Sequence, residues 1–207
     1  WIARTRDGGQ TWKSIHESVL PTAQKGEAGF AASGTNMCVV GESHCFIGLG
    51  GTPEGETRTS SRILITSDRG QTWQFGGPVP IARNPSSGIF SIWFSSDLAG
   101  VAVGGDYLKP DDTSSNYAVT SDGGKTWTTP TTRVAPSGFR SCVAAWKNGR
   151  EIKLVTVGTN GTDMSTDMGN KWIRISNLGF NAIGFSPSGR TGCAVGKGGA
   201  IAKWLLS

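Results

Sequence analysis

Two carboxylates in this chain, Glu27 and Asp106, are placed where they could work as a pair. Cleavage of a glycosidic bond needs two carboxyl groups roughly 5–9.5 Å apart across a cleft, one to protonate the leaving oxygen and one to attack or to activate water. Asp106 ends an apolar run, follows Gly104-Gly105 and precedes Tyr107 and Lys109. A glycine pair lets backbone approach a ligand closely. Glu27 and Arg140 each stand just before or at the start of another such run. Glu27, Asp106, Tyr107, Lys109 and Arg140 are therefore candidate ligand contacts, and Glu27 and Asp106 are candidate catalysts. The alternative is structural: Asp106 caps a loop and Arg140 is its ion-pair partner. Glu54, Glu56, Asp111 and Asp112 lie among polar residues and read as solvated loop charges. Arg58, Arg83 and Arg133 complete the polar inventory.

The remaining aspartates of interest are repetitive. Thr5-Arg6-Asp7-Gly8-Gly9-Gln10-Thr11-Trp12 recurs as Thr66-Ser67-Asp68-Arg69-Gly70-Gln71-Thr72-Trp73 and as Thr120-Ser121-Asp122-Gly123-Gly124-Lys125-Thr126-Trp127. A looser copy reads Ser165-Thr166-Asp167-Met168-Gly169-Asn170-Lys171-Trp172. Four copies with the same neighbours suit a stacked structural unit better than a reaction centre. Each copy predicts two short strands around a tight turn. The carboxylate is expected to accept backbone N–H groups one or two residues on. Gly9, Gly70, Gly124 and Gly169 supply the positive φ of the turn. Trp12, Trp73, Trp127 and Trp172 then pack between neighbouring units.

The intervals between the aspartates each hold one unit of four strands plus loops. The predicted sets are 29–34, 45–50, 62–67 and 72–75; then 88–94, 100–104, 116–121 and 126–129; then 140–146, 153–157, 162–166 and 171–175. A last set, 181–185, 193–196 and 200–204, has three strands. Gly, Ser, Asn or Asp stands at most joints, as short antiparallel meanders require. No ten-residue stretch has a 3.6-residue apolar period, so helix is expected to be scarce.

The octapeptide resembles the Asp-box, or BNR, repeat of β-propellers, a family that includes sialidases, xyloglucan-cleaving glycoside hydrolases, sortilin-type receptors and photosystem II stability/assembly factors. Segments 26–35, 85–91, 103–107 with Lys109-Pro110, and Phe139-Arg140-Ser141 are similar to bacterial and fungal propellers related to the photosystem II assembly factors. The resemblance implies an all-β chain, a β-propeller of four-stranded antiparallel blades. Residues 1–15 would be the outer strands of a partial blade, 29–75, 88–129 and 140–175 complete blades, and 181–204 a three-stranded last blade. That strand count predicts an incomplete ring, part of a larger six- or seven-bladed propeller, with a compact four-bladed ring as the alternative. The octapeptide turns fall on one face, and the long loops 16–28, 51–61, 76–87, 107–115 and 130–138 on the other, where binding groups usually lie. A sialidase would need an arginine triad and a Tyr/Glu pair, whereas the chain has only Tyr107 and Tyr117. The reading is a non-catalytic binding or scaffolding propeller for a protein or carbohydrate ligand, with a glycoside hydrolase using Glu27 and Asp106 as the alternative.

Composition agrees with a turn-rich β fold. Of 207 residues 31 are Gly, about twice the usual share, and 17% are charged. The net charge of +5 comes from scattered Lys and Arg, with no basic run interleaved with aromatics, so no nucleic-acid groove is expected. No apolar run reaches the ~20 residues of a membrane span. Cys38 and Cys45 could close a small hairpin loop as a disulfide, and Cys142 and Cys193 fall in neighbouring blades; the alternative is four free thiols. No Cys-x-x-Cys pair exists and His44 is isolated, so neither metal nor cofactor is expected. Gly196-Lys197-Gly198-Gly199 has no following helix and is not a phosphate loop. Asn160-Gly161-Thr162 fits a glycosylation acceptor. A secreted or periplasmic location is the expectation.

Overall fold

The computed structural model describes residues 2–30, 34–130 and 134–205. They form an all-β architecture with no α-helix among the described residues, only 3-10 turns at Glu17–Val19 and Lys197–Gly199. A two-stranded ribbon, β1 (Ala3–Arg4) and β2 (Lys13–Ser14), comes first. Four sheets follow, each a meander whose antiparallel neighbours are consecutive in sequence. The first holds β3 (Met37–Val40), β4 (His44–Gly48), β5 (Ile63–Thr66) and β6 (Gln74–Phe75). The second holds β7 (Ser87–Phe94), β8 (Gly100–Asp106) and β9 (Tyr117–Thr120). The third holds β10 (Cys142–Asn148), β11 (Glu151–Gly158), β12 (Gly161–Ser165) and β13 (Ile173–Ser176). The last holds β14 (Ala182–Phe185), β15 (Thr191–Val195) and β16 (Ile201–Leu205).

The core lies between sheets, which is why inner strands such as Ile63-Leu64-Ile65-Thr66 are buried on both sides. Phe46, Ile63 and Ile65 of the first sheet meet Ile92, Phe94 and Ala102 of the second. Val101, Val103 and Tyr117 of the second meet Val143 and Leu154 of the third. Cys142, Val155 and Val157 of the third meet Ile183 and Ala194 of the last. Sheets stacked face to face in chain order are the blades of a β-propeller. They do not close into a ring. The far face of the first sheet exposes Met37 and Val39, and that of the last exposes Val195 and Ile201.

Two strand expectations are corrected. The first strand of the first sheet is Met37–Val40, not 29–34; Gly29 and Phe30 lie outside any strand beside the Ala28–Gly50 bridge, and the strand goes to the apolar and β-branched residues further on. Residues 31–33 of that expectation, like Trp1, lie outside the described residues. The expected strand 126–129 is only a bridge between Val119 and Thr128, with N–H···O bonds of 2.8 and 2.9 Å.

The octapeptide turns are built alike. In the second copy the Thr66 hydroxyl donates to the Asp68 carboxylate (2.8 Å) and accepts the Gly70 N–H (3.0 Å). The carboxylate accepts the Thr72 N–H (2.9 Å) and the Thr72 hydroxyl (2.6 Å). It also accepts the Gln71 N–H (2.8 Å), so its backbone partners are three and four residues on, not one or two. The two residues after each aspartate take positive φ (Gly8 and Gly9, Arg69 and Gly70, Gly123 and Gly124, Met168 and Gly169), which swings the later N–H groups onto the carboxylate. Trp172 and Trp127 are buried between sheets as expected of a packing residue, and Trp73 is half-buried. Trp12 is 64% exposed, because no sheet among the described residues lies against the outer side of the β1–β2 ribbon.

Candidate functional site

Strand alternation puts the β2–β3, β4–β5, β6–β7 and β8–β9 connections, and residues 134–141 beyond the Thr128 bridge, on one face, opposite the octapeptide turns. Buried polar clusters stitch these long loops together. In the first, the Glu27 carboxylate accepts from Arg62 Nε (2.7 Å), Arg83 Nη1 (2.7 Å) and the Gln24 N–H (3.1 Å), and its other oxygen also takes Arg62 Nη2. Arg62 lies over the Phe75 ring at 3.6 Å, and Arg83 also reaches the Ser60 carbonyl (3.1 Å) and Gln24 Oε1. Burial pushes the Glu27 carboxyl up, but the Arg62 and Gln24 hydrogen bonds and the charges of Arg62 and Arg83 outweigh it, leaving the group below its usual range.

In the second cluster Asp106 accepts from Ser86 Oγ (2.7 Å), Asn84 Nδ2 (3.0 Å) and the Leu108 N–H (3.0 Å). Burial raises this carboxyl and the bonds from Asn84 and Ser86 bring it below its ordinary value. In the third, Arg140 is fully buried. It donates from Nε to Asp163 (2.6 Å), from Nη1 to the Phe139 carbonyl and Asn160 Oδ1 (2.7 Å each), and from Nη2 to Ser137 Oγ (2.8 Å). Burial lowers the Arg140 pKa against the opposing pull of Asp163.

Glu27, Asp106 and Arg140 therefore do not share one open pocket. Asp106 does cap its loop, but the partner of Arg140 is Asp163 rather than Asp106. Arg62 and Asp163 were not among the sequence candidates. The only sequence signal for them was a charge set inside or against an otherwise apolar strand. Arg133 lies outside the described residues. Arg58 pairs with Glu56 at the surface (3.0 Å), and Asp111 accepts from Asn160 Nδ2 (2.7 Å). That same Asn160 nitrogen also donates to the Pro110 and Ser137 carbonyls, so the glycosylation triplet is spent on holding loops.

An aromatic group lies beneath these clusters. Phe30 stacks on Phe90 (4.3 Å between centroids), and Phe139 and Tyr107 meet Phe90 edge-on at 4.8 and 6.3 Å. The recurrence of Gly29-Phe30, Gly138-Phe139 and Gly179-Phe180 ahead of the first strands, and of Gly88-Ile89-Phe90 at the start of β7, carried this signal in the sequence. Tyr107 is 48% and Leu108 70% exposed, and Lys109 projects beside them.

On the opposite face Asp7 and Asp122 are held down to about 2, first by the Thr11 and Thr126 hydroxyls and then by the same residues' N–H groups. Asp68 is lowered by Thr72 in the same way. The disulfide expectation is corrected: all four cysteines are free. Cys38 pairs with Phe46 and Val39 with Cys45, so side-chain alternation sends Cys38 and Cys45 to opposite faces of the sheet. Burial pushes the Cys45 thiol up to about 11. Cys142 sits in the core, while Cys193 points to the uncovered face of the last sheet.

A comparison with known family profiles gives no match, and neither does one with curated proteins. Solved structures do match. YCF48 bound to a D1 peptide is 18% identical with a TM-score of 0.54, over 91% of this chain and 56% of that one. An α-L-arabinanase from Penicillium chrysogenum complexed with arabinobiose is 14% identical with a TM-score of 0.52, over 98% and 68%. The computationally designed Ika4 protein is 10% identical with a TM-score of 0.50, over 83% and 89%. The chain thus spans little more than half of the first of these. At such identities the likeness shows the fold, a β-propeller. Among the described residues no helix is long and apolar enough to cross a membrane.

Proposed function

We propose that the chain is an Asp-box propeller that recognises a protein segment through its long-loop face and performs no chemistry of its own. The observation that carries this reading is the inward commitment of Glu27, Asp106 and Arg140, which leaves Tyr107, Leu108 and Lys109 projecting from a loop already fixed in place. Asp106 anchors that loop at the Leu108 N–H, and Asn160 holds Pro110 and Asp111. A pre-ordered loop offering an aromatic and an aliphatic side chain loses little entropy on binding. The likeness to YCF48, whose structure carries a D1 peptide, supports a peptide partner. A glycosidase acid needs a raised pKa, and both candidate carboxyls are shifted the other way, which counts against hydrolysis. A secreted or periplasmic location belongs to the same proposal and is tested by fractionating cells that express the gene.

The test is selection from a displayed random-peptide library alongside a panel of soluble oligosaccharides. Selected peptides should bind the chain and lose at least roughly tenfold in affinity when Tyr107→Ala and Leu108→Ser are combined, with melting unchanged. Oligosaccharide binding without turnover, lost in the same variant, moves the partner class to carbohydrate. Release of reducing sugar that disappears in Asp106→Asn overturns the proposal.

A further inference from the structure

The octapeptide repeat supplies an internal control for reading its own surface. Two grooves run between neighbouring copies, one at the first pair and one at the last. The groove between the second- and third-sheet copies, about 360 Å3, is lined by Val119, Ser121, Thr126 and Thr128 from one copy and by Met168 and Asn170 from the next. Its counterpart between the first and second copies, about 400 Å3, is lined by Arg4, Arg6, Thr11, Lys13, Gly70 and Gln71, with His16 at one end. Aligned on their aspartates, Arg4 takes the place of Ile65 and Val119, Arg6 that of Ser67 and Ser121, and Lys13 that of Gln74 and Thr128. Three neutral positions have become three cations in one groove, while Thr11 keeps the place of Thr126 and, on the opposite wall, Gln71 that of Asn170.

These cations have no anionic partner among the described residues. Among the described residues none of the three takes part in an ion pair, and Arg4 donates to the Arg69 carbonyl (3.0 Å). The nearby acids are otherwise placed. Asp7 is occupied by Thr5 (2.7 Å) and Thr11 (2.6 Å), Glu42 by Arg69 (2.7 Å), and Glu17 does not line the groove. Three convergent like charges repel one another unless an anion sits among them. Guanidinium groups suit a tetrahedral oxyanion because they donate in parallel pairs, and lysine adds a point charge. We propose that this groove binds a phosphate or sulfate group. None of its lining residues belongs to the Tyr107 loop, so it stands or falls separately from the peptide reading.

The experiment titrates inorganic phosphate and inorganic sulfate into the labelled chain at low salt and follows backbone amide shifts. Saturable shifts at Arg6, Lys13 and Gln71 are expected. Arg6→Ser combined with Lys13→Thr, the residues of the sibling groove, should weaken binding about tenfold or more without changing the melting temperature. The reciprocal variant, Ser121→Arg with Thr128→Lys, should gain saturable shifts in its own groove. A sugar phosphate and a sulfated sugar run in parallel distinguish the source of the oxyanion. Shifts that grow without saturating, or a double variant that binds as well as the parent, overturn the proposal.

Discussion

Two guanidinium groups share the Glu27 carboxylate, and among the described residues Arg83, 3% exposed at its side chain, pairs with no other carboxylate. Glu27→Gln leaves that charge buried and unneutralised, which costs about 3–5 kcal/mol and lowers the midpoint of urea unfolding accordingly. The pH dependence has the same origin. Glu27 is held below its ordinary 4.5, and Asp7 and Asp122 sit at about 2 against an ordinary 3.8. A carboxyl with a depressed folded pKa contributes stability that is complete above its unfolded value and lost as pH falls through the folded one. Melting temperatures taken from pH 7 downward should hold until about pH 4.5 and then fall steadily towards pH 2. In Glu27→Gln the curve starts lower, and the upper part of that fall is reduced.

At the scale of elements, the first and second strands of one sheet are set close together where the second carries a glycine. A Cβ on Gly158 would stand 1.9 Å from the Phe139 carbonyl oxygen, and one on Gly104 1.9 Å from that of Gly88. Both neighbours are backbone and cannot move aside. Gly158→Ala should therefore cost about 1–3 kcal/mol or more in urea unfolding, whereas Gly184→Ala, which meets nothing within 4 Å, should be neutral or gain about 0.5 kcal/mol. Most strands could be read from the sequence, because Val101-Ala102-Val103 or Leu154-Val155 between turn residues leave few alternatives. The first strand of the first sheet was misread because Gly29-Phe30 mimics a strand start; it marks the aromatic group beneath the loops. The partners of Glu27 could not be read at all. Arg62 and Arg83 lie 35 and 56 residues away, a distance along which spacing carries no information. Cys38 and Cys45 failed for a related reason. Their loop length suited a bridge, but the one-residue offset of the register parted them.

On the scale of the whole molecule, the stack of four larger sheets leaves its two end faces open among the described residues. Met37 and Val39 on one, and Val195 and Ile201 on the other, occupy surfaces that in the inner sheets are core. We propose that further blades cover them. The chain by itself should bind a hydrophobic fluorescent dye, and Val39→Lys with Ile201→Lys should reduce that signal without lowering the melting temperature. The central claim is that the buried carboxylates of the long-loop face hold loops together and leave recognition to the side chains above them. The most direct test is a carboxyl-carbon NMR titration of the folded chain. Glu27 and Asp106 should both stay ionised below the ordinary values of 4.5 and 3.8. An inflection of either group near pH 6, where a proton-donating acid would titrate, contradicts the account.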